Sequence, residues 1–132
     1  VRAAVRTEVE RTSRLWGAAG RAEALLAACR PWREVEHFIA YNVDEGLDEA
    51  GITTLLEEGR RRLARIPGVR RVEIGEAVRE DARFRLCWSI RFASEAVIAS
   101  YAAHPDHVDY ADTLFRPNAG DRLSIDYRMR GD

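Results

Sequence analysis

The spacing of apolar residues changes period several times along the chain, and each change marks an element. From Val1 to Arg30, Val5, Val9, Leu15, Trp16, Leu25 and Leu26 recur at helical spacing. Gly17 and Gly20 weaken the middle of that helix, and Arg30-Pro31 stops it. From Val35 to Val43 the period drops to two, which predicts a strand. His37, Ile39, Tyr41 and Val43 share one of its faces, and Phe38 and Ala40 the other. Asp48 then caps a helix whose stripe is Ile52, Leu55, Leu56, Leu63 and Ile66. Arg60, Arg61 and Arg62 point elsewhere, as a solvated surface, and Pro67-Gly68 turns the chain.

Val69–Ala77 predicts a second strand, and Arg79-Glu80-Asp81 a polar turn. Phe84, Leu86, Trp88, Ile90 and Phe92 alternate with polar or small residues, the clearest strand in the chain. Ser94 is placed to cap a short helix through Ala96, Val97 and Ile98, with Tyr101 in its last turn. His104 precedes proline and is pushed out of helix, whereas Pro105 suits a first helical position. The new helix carries Val108, Tyr110, Ala111, Leu114 and Phe115 and ends near Pro117-Asn118-Ala119-Gly120. Leu123, Ile125, Tyr127 and Met129 alternate along a final strand.

After an N-terminal helical extension (residues 1–34), the order is therefore β-α-β-β-α-β over residues 35–132. That is an α+β, ferredoxin-like unit, with helices on one face of a four-stranded antiparallel sheet. The opposite sheet face needs cover, and a second copy is the economical source. The expectation is a homodimer packed through its sheet faces.

The 132 residues are long enough for one real core, and 46% hydrophobic with 33% charged residues is ordinary globular composition. A net charge of -1 gives no basic footprint for nucleic acid. No apolar run reaches the ~20 residues of a membrane span. All 21 basic residues are arginine, which excludes Schiff-base lysine chemistry. Cys29 and Cys87 form no CxxC, which argues against a thiolate metal site or disulfide framework and for a reducing, cytoplasmic setting.

Neither a GxSxG elbow nor H-E-x-x-H is present. Candidate chemistry falls on His37, Tyr101 and His107. Three histidines could in principle share a metal, but Pro105 separates His104 from the helix holding His107, so no metal is expected. Acid–base work is the better reading. His107 falls in a first helical turn, where the helix end disfavours imidazolium and leaves a neutral proton acceptor. Tyr101 lies just before the break, so the chain reversal brings its hydroxyl towards the same space. His37 is the polar residue on an otherwise apolar strand face. Each of the three also has a packing role open to it, and spacing alone does not make them converge.

Glu36-His37-Phe38-Ile39, Ile66-Pro67-Gly68-Val69, Ile74-Gly75, Tyr101-Ala-Ala-His-Pro-Asp-His107-Val108 and Ile125-Asp126-Tyr127 together resemble a stress-responsive A/B barrel (Dabb) domain across residues 35 to 129. The Y-x-x-H-P-x-H-V segment is the specific part. The resemblance implies a dimeric α+β barrel with a cavity between each sheet and its helices. One kind of member, plant olivetolic acid cyclase, closes a polyketide ring by intramolecular aldol condensation. Its catalytic tyrosine and histidine fall on Tyr101 and His107, and a pocket histidine on His37. It lines its tunnel with aromatics where this chain has Leu55, Leu56 and Gly59, which implies a cavity of different, wider shape here. In other members the His-Pro-x-His run is structural, with His104 as a cap.

The expected function is a cofactor-free polyketide cyclase-like enzyme acting on a β-keto small-molecule substrate by aldol-type cyclisation or enolisation. His107 is the base, Tyr101 the carbonyl donor and His37 the orienting or relaying group. Ile39, Tyr41, Leu55, Leu56, Gly59 and Trp88 are expected around the substrate. Two other readings stand beside it: a non-catalytic Dabb protein that binds a small ligand or serves a stress response, and a cofactor-free monooxygenase.

Overall fold

A computed structural model of the protein describes residues 33–130. The expected N-terminal helix and Cys29 lie outside those residues. The chain runs β1 (Val35–Asn42), α1 (Glu49–Leu63), β2 (Val69–Glu76), β3 (Leu86–Phe92), α2 (Ala96–Ala103), α3 (Pro105–Tyr110), a π-helical turn (Ala111–Phe115), α4 (Arg116–Asn118) and β4 (Asp121–Arg128). The four strands form one antiparallel sheet in the order β2-β3-β1-β4. This is the ferredoxin-like β-α-β-β-α-β arrangement expected from the pattern. Among the described residues, no helix is long and apolar enough to cross a membrane.

Local chemistry accounts for most boundaries. The Asp48 carboxylate accepts from Gly51 N at 2.8 Å and so starts α1. Gly68 turns with φ +90°, and a Cβ there would sit 2.6 Å from Val97 Cγ2. Only glycine allows that backbone to approach α2 so closely. Ser94 differs from expectation. Residue 95 precedes α2 in helical conformation and no side chain caps the helix, while the Ser94 carbonyl accepts from Val97 N. The Glu95 carboxylate is turned to Arg128 instead.

Pairing partners across antiparallel strands point to the same side. Val35, His37, Ile39 and Tyr41 therefore share a face with Phe92, Ile90, Trp88 and Leu86. That face carries the core: Val35, Tyr41, Leu55, Trp88, Ile90, Phe92 and Tyr110 are all essentially inaccessible. β4 reverses the rule. Its residues opposite His37, Ile39 and Tyr41 are Asp126, Ser124 and Arg122, so a polar row lies on the core side. Leu123, Ile125 and Tyr127 fall on the other sheet face, where Leu123 and Tyr127 are half-exposed. Val108, one of the apolar residues along its helix, is exposed. The π-helical turn after Tyr110 was not legible in the periodicity, because one wide turn shifts the apolar stripe by a single residue.

Candidate active site

The break between α2 and α3 is built as its sequence suggests. His104 is extended (φ -66°, ψ 136°), and its Nδ1 accepts from Asp106 N at 3.1 Å. Pro105 follows as the first helical residue, where a missing N–H removes no bond. His104 is thus a cap, with its ring committed to its own helix. Arg62 on α1 and Arg65 in the turn just after it hold α3 from the side, through Asp109 at 2.5 Å and Asp106 at 2.9 Å.

That geometry brings three candidates together. The Tyr101 and His107 rings lie 4.5 Å apart between centroids, and His37 meets Tyr101 edge-on at 5.5 Å. Phe92 completes the group, stacked on His37 at 5.3 Å and tilted against Tyr101 at 4.7 Å. The sheet supplies His37 and Phe92; the helices supply Tyr101 and His107.

Hydrogen bonds assign the ring protons. His107 Nδ1 lies 3.0 Å from the Ala102 carbonyl, which can only accept. Nδ1 therefore carries the proton, and Nε2 of the neutral ring keeps its lone pair. Burial pushes the His107 pKa down, helped by Arg116 and His37 and opposed by the Ala102 bond. The direction matches expectation, but burial leads rather than the helix end. Burial pushes the Tyr101 phenol well above its ordinary value, and the Asp126 charge adds to this, so Tyr101 stays a donor.

Asp126 is the group that sequence reasoning missed. Its carboxylate lies 2.5 Å from His37 Nδ1, across the β1–β4 register that sets the two residues opposite each other. The signal available was Ile125-Asp126-Tyr127, an acid placed between apolar residues on a strand. Nothing in that spacing says which residue of β1 it will face. The carboxylate keeps the Nδ1 proton of His37 and leaves Nε2 turned away from it.

The six expected pocket residues do not all join this group. Ile39 is half-buried and follows His37 along the same face. Leu56 is half-buried against the core. Tyr41, Leu55, Gly59 and Trp88 lie deeper, around Tyr110. The Tyr110 hydroxyl donates to the Leu55 carbonyl at 2.6 Å. A Cβ on Gly59 would meet that hydroxyl at 2.5 Å and Trp88 Cζ2 at 2.7 Å. The expected widening at Gly59 is therefore not found there: the side chains of Tyr110 and Trp88 fill the space. Among the described residues, no group of three or more His, Cys, Asp or Glu is placed to share a metal ion.

The fold is shared with known proteins. The model of the stress responsive A/B barrel domain matches residues 35–129. No curated protein sequence matches the chain significantly. Among solved structures, a Dabb family protein with a ferredoxin-like fold from Mesorhizobium loti is similar at TM-score 0.68 and 23% identity, covering 75% of this chain and 99% of that one. A hydroxynitrile lyase from Passiflora edulis is similar at TM-score 0.69 and 16% identity, over 77% of this chain and 98% of the other. A dimeric ferredoxin-like protein of unknown function from Thermobifida fusca is similar at 0.65 and 15%, over 74% and 92%. These identities speak for the fold alone. The family match and the β-α-β-β-α-β sheet agree over the same residues, and the chain belongs to the stress-responsive A/B barrel domain family.

Proposed function

We propose that the protein is a cofactor-free acid–base enzyme that forms a carbon–carbon bond in a β-keto substrate, by aldol-type cyclisation through an enolate. The observation that carries this reading is the pairing of a neutral His107, with Nε2 free to accept, against the ring of a protonated Tyr101.

His107 Nε2 removes a proton from the carbon between two carbonyl groups. The electron pair of that C–H bond moves into the enolate, whose oxygen accepts from the Tyr101 hydroxyl. The enolate carbon attacks a second carbonyl of the same chain, forming the new C–C bond. The alkoxide left on that carbonyl takes back the proton held by His107. Protons and charge balance, and His107 returns neutral. His37, held by Asp126, positions the carbonyl end of the substrate. A C–H between two carbonyls is acidic enough for an imidazole base, so the step asks for no metal or flavin. A hydroxynitrile lyase on this fold is another protein whose name states lyase chemistry.

Asp126, on β4, is the more exposed member of the His37 pair. The apolar residues of β4 fall on the opposite sheet face, and a similar fold is described as dimeric. A second copy covering Phe38, Leu123, Ile125 and Tyr127 fits both facts.

The test is turnover of a linear poly-β-ketone by the wild type, His107→Ala and Tyr101→Phe, with folding checked by circular dichroism. Loss of turnover in both folded variants supports the reading, and full activity in both overturns it. A second reading has one observation in its favour: Tyr101 is only 3% exposed, as a packing residue would be. Tight binding of the ketone with no turnover by the wild type would favour that non-catalytic, ligand-binding role.

A further inference from the structure

His107 is carried by the first turn of α3, and that turn has little packing of its own. Pro105 and Val108 are exposed, and burial on α3 begins only at Tyr110. The His104 cap and the bond from His107 Nδ1 to the Ala102 carbonyl tie the turn to the end of α2. On the side of α1 the hold is ionic. Asp106 and Asp109 are three residues apart and so share one side of α3. Arg62 spans both: its Nη2 lies 2.5 Å from Asp109 and its Nε 3.7 Å from Asp106. Arg65 adds a second bond to Asp106 at 2.9 Å.

Members of the arginine run on α1 do different things. Arg61 pairs with Glu58 on its own helix, and its side chain is 57% exposed. Arg62, expected with it as solvated surface, is 21% exposed and crosses to α3. A lone exposed ion pair contributes little. Here one half-buried guanidinium takes two carboxylates of a six-residue helix, and its rigid fork of donors suits that task better than an ammonium would. The platform is firm, because α1 buries Leu55, Gly59 and Leu63 in the core. His107 falls between the two clamped residues in sequence, and its ring lies 4.5 Å from that of Tyr101.

We propose that Arg62 is a positioning residue: by clamping Asp106 and Asp109 it sets where the His107 ring lies against Tyr101. This rests on the reading above for what His107 does, not for where its ring sits. Placement of a base matters steeply, since a displacement of about 1 Å can cost about a hundredfold in rate.

Two readouts on the full chain test it: the titration of His107 followed by NMR, and turnover of a linear poly-β-ketone. Burial is the main cause that holds the His107 pKa down, and the charges that act most on the ring are those of Arg116, His37 and Asp112. Arg62→Ala should release the turn and raise the His107 midpoint towards its ordinary value. It should also lower kcat about tenfold or more, with a smaller change in KM. Arg62→Lys keeps the charge but loses the fork, and should give a smaller change of the same sign; it also serves if Arg62→Ala does not fold. Arg61→Ala removes the same charge one residue away and should change neither readout. The double variant Asp106→Ala/Asp109→Ala separates position from charge. Loss of two negative charges alone would lower the His107 midpoint, whereas loss of the clamp raises it. The proposal is overturned by an unmoved midpoint in Arg62→Ala, by an equal rise in Arg61→Ala, by a lowered midpoint in the double variant, or by a raised midpoint with unchanged kcat. If the midpoint rises in both clamp variants but the wild type does not turn over the ketone, the clamp stands and the cyclisation reading falls. Turnover by the wild type with unmoved midpoints gives the reverse.

Discussion

His37 Nδ1 and the Asp126 carboxylate meet at 2.5 Å, across two strands that are 89 residues apart in sequence and paired in register. The contact orients one ring of the site from the sheet side, as the Ala102 carbonyl orients His107 from the helix side. Each of these two rings thus has its Nδ1 committed to the protein.

Asp126→Asn should leave the fold intact and lower kcat. The change replaces a charged hydrogen bond, worth about 1.5–3 kcal/mol, with a neutral one. A loss of about tenfold in kcat is expected, with a smaller change in KM. Steady-state kinetics on a β-keto substrate checks this, and an unchanged kcat would remove Asp126 from the site.

The pH profile should carry the signature of His107. Burial holds its pKa below the ordinary value of about 6.5. The base therefore stays neutral as pH falls past that value, and the acidic limb of kcat/KM should lie lower still. The same shift has a stability consequence. Between the folded and unfolded pKa values the unfolded chain binds more protons, so this contribution is complete above about 6.5 and is lost as pH falls. Denaturant midpoints across that range, with His107→Gln as control, measure it.

Gly59→Ala pits helix propensity against packing. Alanine favours the helix by about 1 kcal/mol. Its methyl, however, would press on Tyr110 Oη and Trp88 at 2.5 and 2.7 Å, and overpacking of this kind costs about 1–3 kcal/mol. Both neighbours are fully buried and have little room to move. A lower urea midpoint is expected, with partial recovery in Gly59→Ala/Tyr110→Phe, where the obstructing hydroxyl is gone.

Glu36 lies buried on the opposite sheet face, bonded by Ser89 and Arg91. Burial alone would raise its pKa, but those hydrogen bonds and the Arg91 charge outweigh it and hold the carboxylate below its ordinary value. Its contribution is therefore present above about pH 4.5 and lost as pH falls through the folded pKa. Glu36→Ala should destabilise by about 3 kcal/mol at neutral pH, because it leaves Arg91 without this partner. Unfolding at pH 7 and pH 3 should show the deficit narrowing in acid.

Periodicity determined the element order, because a period of two or of 3.6 is a local property of the chain, and the β-α-β-β-α-β order in turn implied the ferredoxin-like sheet. The α2–α3 break was legible for the same reason: Pro105 acts on its immediate neighbours, and His104 caps within two residues. Local signals were weaker where a side chain had a choice. Ser94 had cap chemistry but is not the cap, and Val108, apolar like its neighbours along the helix, lies exposed. What only the tertiary structure decided is which strand faces meet. Register sets Asp126 beside His37 and turns the apolar row of β4 away from the core. Helix-on-sheet packing fills the space over Gly59 with Tyr110 and Trp88. Those relations join residues many tens of positions apart, and no local periodicity encodes the distance between them.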